Sequence, residues 1–112
     1  MKSALFILLS TLSFSALAYD PYNCIADVAK VDTKISVGLA TELCSGAWSN
    51  EPAKCYIGAS VVDEEIPRFL AIKLCSGSVD AEKTLLCYAK SSDFELSRGS
   101  ATTLCGVNRY KD

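Results

Sequence analysis

The chain has 112 residues, 11 of them basic and 13 acidic, with 50% hydrophobic and 21% charged residues; this excludes a wholly disordered or collagen-like protein and suits one globular domain. Six cysteines and no histidine remove Ser/His/Asp hydrolysis, Cys/His proteolysis and zinc sites with histidine ligands. The few Lys and Arg stand singly among acids, so the electrostatic footprint of a nucleic-acid or anionic-membrane binder is missing.

Lys2, the apolar run from Ala4 to Leu9 and the small-residue ending Ala16-Leu17-Ala18 have the three parts of a secretory signal peptide. Residues 1–18 are expected to be removed by cleavage after Ala18. The run is shorter than the roughly 20 apolar residues of a membrane span, and Ser10, Thr11, Ser13 and Ser15 interrupt it. No stable membrane anchor should therefore remain. A lipoprotein is disfavoured because no cysteine follows the cleavage point. The remainder, residues 19–112, is expected to be a single secreted or periplasmic domain of 94 residues with 10 basic and 13 acidic side chains, a net charge of −3.

Within it the cysteines mark three units, 19–49, 50–79 and 80–112. Cys24 and Cys44 are 20 positions apart, as are Cys55 and Cys75; Cys87 and Cys105 are 18 apart. Each unit fits the pattern C-x(5 or 7)-D-x-x-[IL]-[SP]-x-x-x-A-x-x-L-C-[SG], with five residues in the first gap only in the third unit. Self-similarity at about 31 residues is the mark of a repeat architecture.

Each unit reads as two short antiparallel helices. Asp20-Pro21, Asn50-Glu51-Pro52 and Asp80-Ala81-Glu82 carry start signals for the first helices, and Ser36, Pro67 and Ser97 for the second. The glycine after each second cysteine supplies a helix C-cap. Ile35, Leu39 and Leu43 fall on one helical stripe, as do Ile66, Leu70 and Leu74. A strand at Ile35-Ser36-Val37 or Val61-Val62 is the alternative. The predicted fold is therefore all-α: three disulfide-stapled αα-hairpin repeats stacked as a small solenoid or bundle.

Six cysteines allow 15 pairings. The midpoints of the three pairs fall at positions 34, 65 and 96, each at a predicted turn, and residues equidistant from a turn meet across a hairpin. Cys24–Cys44, Cys55–Cys75 and Cys87–Cys105 are the expected bonds. Ala40, Ala71 and Ala101, one turn below each second cysteine, allow the close helix approach these bonds need. Pairing between units, Cys44 with Cys55 and Cys75 with Cys87, is the alternative.

The repeated Asp32, Asp63 and Asp93 suit turn capping, since no D-x-D-x-D-G loop surrounds them as calcium ligation would require. No metal or cofactor is called for. Tyr56 and Tyr88, each directly after a first cysteine, read as packing positions with Ile25 as their counterpart. Trp48 stands where Val79 stands in the next unit, and reads as a hydrophobic staple over a helix start or as an exposed anchor. Candidate partner-binding residues are Trp48, Asp63, Glu64, Glu65 and Phe94.

The A-x-x-L-C-[SG] pattern, followed by about a dozen residues to the next cysteine, resembles the tandem Cys-pair helical repeats of small secreted proteins from Gram-negative bacteria. That resemblance implies a scaffold and transfers no functional residue. No catalytic residue stands out, and the expected function is a noncatalytic interaction module with an unknown protein partner. A secreted effector, toxin or enzyme inhibitor is the alternative, and a carrier of a small apolar ligand a third.

Overall fold

A computed structural model describes residues 18–107; all but the last residue of the expected signal peptide lies outside this range. Among the described residues every regular element is helical and there is no strand: α1 (Pro21–Val31), α2 (Val37–Cys44), α3 (Glu51–Val62), α4 (Arg68–Cys75), α5 (Ala81–Lys90), a 3₁₀ turn at Ser91–Phe94, and α6 (Arg98–Cys105).

Local chemistry sets the helix starts. Asp20 and Asn23 form a reciprocal capping box, the Asn23 amide donating to Asp20 Oδ1 at 3.0 Å and the Asp20 amide to Asn23 Oδ1 at 2.9 Å. Ser36, Asp80 and Ser97 each accept a bond from the amide three residues on, satisfying donors that a helix cannot satisfy itself. Asn50 and Pro67 occupy cap positions without a side-chain bond. Neither strand alternative is observed: Val61 and Val62 complete α3, and Val37 opens α2.

Cys24–Cys44, Cys55–Cys75 and Cys87–Cys105 are bonded, with Cα separations of 5.7, 5.4 and 5.8 Å. Each bond joins the two helices of one hairpin, and the between-unit alternative does not occur. The buried Ala40, Ala71 and Ala101 present only a methyl group where the paired helices approach. The first helices pack in the series α1, α3, α5 and the second in the series α2, α4, α6. The core includes Cys24, Cys44, Cys55, Cys75 and Cys105 with Val28, Leu43, Ala59, Ile72 and Leu74, and with Tyr56 and Tyr88; Cys87 packs against it partly buried.

The third hairpin departs from the first two in two places. Gly46 and Gly77 leave their helices in the left-handed region, at φ 72° and 80°, as a helix-ending glycine does. Gly106 is itself the C-cap of α6, its amide donating to the Thr102 carbonyl at 2.9 Å, but at φ −73° it needs no left-handed freedom, and the site is sterically tight: a Cβ there would lie 2.7 Å from both the Lys73 and the Thr102 carbonyl oxygens. The second departure follows from the two-residue deletion. Asp32 and Asp63 cap the C-termini of α1 and α3, whereas Asp93 falls inside the 3₁₀ turn, which Glu95 closes at φ 55°. Two residues are about half a helical turn, so the shortened chain must tighten to reach Ser97.

Candidate functional site

Side-chain ties join neighbouring hairpins both at the hairpin turns, here termed the turn edge, and at the connections between hairpins, the connection edge. On the turn edge Asp32 and Asp63 hold the hairpins together. Asp32 accepts the Tyr56 hydroxyl at 2.6 Å, and Arg68 grips it through Nε at 2.7 Å and Nη2 at 2.9 Å. Asp63 repeats the arrangement one hairpin later, with Tyr88 at 2.6 Å and Arg98 at 2.7 and 3.0 Å. Each carboxylate also accepts a local amide, from Lys34 or Glu65, so one side chain closes its own turn and fastens the next hairpin.

The electrostatics follow from these bonds. Arg68 and Arg98 hold the Asp32 and Asp63 carboxyls well below the usual carboxylate range, against the opposing effect of burial, and the tyrosine hydroxyls and local amides reinforce them. Burial, then the bond to the carboxylate, pushes the Tyr56 and Tyr88 phenols up to about 12. Near neutral pH these acids stay ionised and these phenols neutral. In these ionisation states each carboxylate clamps a phenol and a guanidinium of the next hairpin.

Beside each clamp lies a surface groove. One of about 440 Å³ is bordered by Val31, Tyr56, Ile66 and Arg68, and one of about 460 Å³ by Val62, Tyr88, Leu96 and Arg98. A third, of about 410 Å³, shares Ser91 and Leu96 with the second; Cys87, Lys90, Phe94 and Leu104 complete it, and it contains no clamp.

Of the sequence candidates, the structure brings Asp63, Glu64, Glu65 and Phe94 to the turn edge. Asp63 is engaged in its clamp. Glu64 is exposed, and an oxygen of Glu65 lies 3.6 Å from Arg98. Phe94, 74% exposed, borders the third groove. Trp48 is 73% exposed and lies on the connection edge, between α2 and α3. It does not close over a helix start as a staple would.

The sequence motifs do not mark Arg68 and Arg98, and the repeat pattern accounts for Tyr56 and Tyr88 only as packing positions. A usable signal existed. Tyr one after the first cysteine and Arg seven before the second occur together in the two units that follow another, while the first unit has Ile25 and Val37 there. The connection edge carries further ties: Glu51 Oε1 accepts the Ala81 amide at 2.7 Å, and the Ser76 hydroxyl donates to the Glu42 carbonyl at 3.0 Å.

Among the described residues no group of three or more Cys, Asp or Glu side chains is placed to hold a metal ion, and no helix is long and apolar enough to cross a membrane. The three disulfides are consistent with an extracellular or otherwise oxidising compartment. No protein-family model matches the chain, nor does any curated protein or solved structure.

Proposed function

We propose that the chain is an exported stack of three hairpin repeats, of the kind its Cys-pair pattern resembles, and acts as a noncatalytic interaction module. Its turn edge holds a basic, partly apolar protein segment. One observation carries this reading: two equivalent grooves recur along the edge, each pairing an exposed valine, Val31 or Val62, with a clamped Tyr–Arg wall, and the exposed acids Glu64 and Glu65 follow Asp63 in the second turn, Glu65 lying 3.6 Å from Arg98. Disulfides and clamps fix the groove spacing before binding, which lowers the ordering cost of association. The exposed acids favour basic segments and reject acidic ones.

The test is calorimetric titration of the disulfide-intact protein with extended peptides alternating Lys and Leu, and with Glu/Leu counterparts. Binding confined to the basic series, weakening with salt and lost in Val62→Asp and in the double variant Glu64→Lys/Glu65→Lys, supports the reading. Equal affinity for both series, or none for either, sinks it.

The third groove favours a second reading, a carrier of a small apolar ligand, because carbon dominates its lining. Uptake of an apolar fluorescent probe that Leu104→Glu abolishes would support that reading.

A further inference from the structure

Cys24, Cys55 and Cys75 are fully buried and Cys44 is 1% exposed, so two of the three staples are sealed from solvent. The third is not. Cys105 is 9% exposed, and Cys87 is partly exposed and borders the groove of about 410 Å³. The repeat explains the difference. The second hairpin covers the first through the α1–α3 and α2–α4 packing, and the third covers the second through α3–α5 and α4–α6. No hairpin follows the third among the described residues, and Leu104, whose counterparts Leu43 and Leu74 are fully buried, stands 64% exposed on the same groove as Cys87.

The third hairpin is also held in ways that do not need its staple. Tyr88 on α5 and Arg98 on α6 both bond Asp63, and the two helices pack separately on α3 and α4. Opening Cys87–Cys105 therefore releases one tie of several. Reaching Cys55–Cys75 requires neighbouring hairpins to part, a larger unfolding event with a correspondingly higher free energy.

We infer that Cys87–Cys105 is a site of thiol–disulfide exchange on the folded protein, where the thiolate of a small thiol such as glutathione enters this groove and attacks Cys87 Sγ. A bond forms between the incoming sulfur and Cys87 as the Cys87–Cys105 bond breaks, and the electron pair leaves on Cys105 Sγ, which takes a proton from water. A second thiolate then attacks the sulfur of the bound thiol, releasing the small disulfide and the Cys87 thiolate. Two thiols are oxidised and one protein disulfide is reduced. Exposed disulfides are the ones open to this chemistry.

Charge favours the chosen route. Lys90 is the one charged residue bordering the groove of about 410 Å³, and it attracts a thiolate. Cys87 borders a further groove of about 520 Å³, but there Asp80 and Glu82 join Lys83 and Lys90, and the acids offset the lysines. The inference is independent of the basic-segment reading, which uses the Val31 and Val62 grooves.

The deciding experiment treats the disulfide-intact protein with glutathione under native conditions, quenches with N-ethylmaleimide and maps the peptides by mass. Glutathione on Cys87 and maleimide on Cys105 are expected to appear at least about tenfold faster than any change at the other four cysteines, with the helical circular dichroism retained. Lys90→Glu, at an exposed position, should slow the reaction by about 2- to 5-fold at low ionic strength and by less in high salt. The double variant Cys87→Ser/Cys105→Ser should keep most of the helical signal and a cooperative urea transition. Reaction of all three bonds at one rate, or of another bond first, overturns the inference. So does loss of helical signal in step with the first adduct, since exchange would then follow unfolding. Glutathione found on Cys105 instead of Cys87, or a rate that Lys90→Glu does not change, overturns the assigned point of attack.

Discussion

Arg98 reaches back one hairpin to grip Asp63 through two nitrogens, Nε 2.7 Å from Oδ2 and Nη2 3.0 Å from Oδ1. The Tyr88 hydroxyl donates to Oδ2 as well, at 2.6 Å. The carboxylate thus joins groups from α3, α5 and α6. Replacing Asp63 by Ala strands a buried phenol and an ionised guanidinium together. Urea unfolding of Asp63→Ala should show a loss of about 1–3 kcal/mol. Tyr88→Phe, which removes one bond and leaves Arg98 in place, should lose about 1 kcal/mol.

The pH dependence follows from the directions of the shifts. Asp32 and Asp63 have folded pKa values far below their unfolded ones, so their stabilisation is complete above about pH 4 and is lost progressively as pH falls further. The phenols of Tyr56 and Tyr88 are raised to about 12. Their neutral forms are favoured by folding, and that stabilisation is lost as pH rises from about 10 through 12. Chemical denaturation across pH should therefore give a plateau that falls at both ends. Asp32→Asn/Asp63→Asn should flatten the acid limb, and an unchanged acid limb in that variant would contradict the assignment.

Each disulfide closes a loop of about 20 residues, worth about 3 kcal/mol in the chain-entropy model. The helices it joins have 8 to 12 residues, a length marginal in isolation. Replacing Cys55 and Cys75 together by Ala should remove about that much stability, measured by urea unfolding. Reduction of all three bonds should abolish most of the helical circular dichroism at 222 nm.

Two glycines on the same row of helices should respond oppositely to alanine. At Gly106 the new methyl would meet two backbone oxygens at 2.7 Å, and backbone cannot swing aside as a side chain can. A loss of about 1–3 kcal/mol is expected. At Gly38, inside α2, nothing lies within 4 Å of the added carbon, and the gain in helix propensity should stabilise by about 0.5–1 kcal/mol. Thermal unfolding of the two variants separates the steric role from the conformational one.

The sequence by itself determined the elements that depend on neighbours. Asp20, Ser36, Asp80 and Ser97 mark helix starts because a cap is a bond to an amide three residues away, and equal distances about a turn favour Cys24–Cys44 and its two equivalents, with the structure deciding against pairing between units. Only the tertiary structure decided what those hairpins do to each other. Asp32 is a plausible turn residue whether or not anything reaches it, and nothing within its own unit announces Tyr56 and Arg68, 24 and 36 positions away. Leu104 is likewise indistinguishable in sequence from Leu43 and Leu74, yet they are buried and it is exposed. Burial at these positions belongs to the neighbouring hairpin, and the third hairpin has none after it among the described residues.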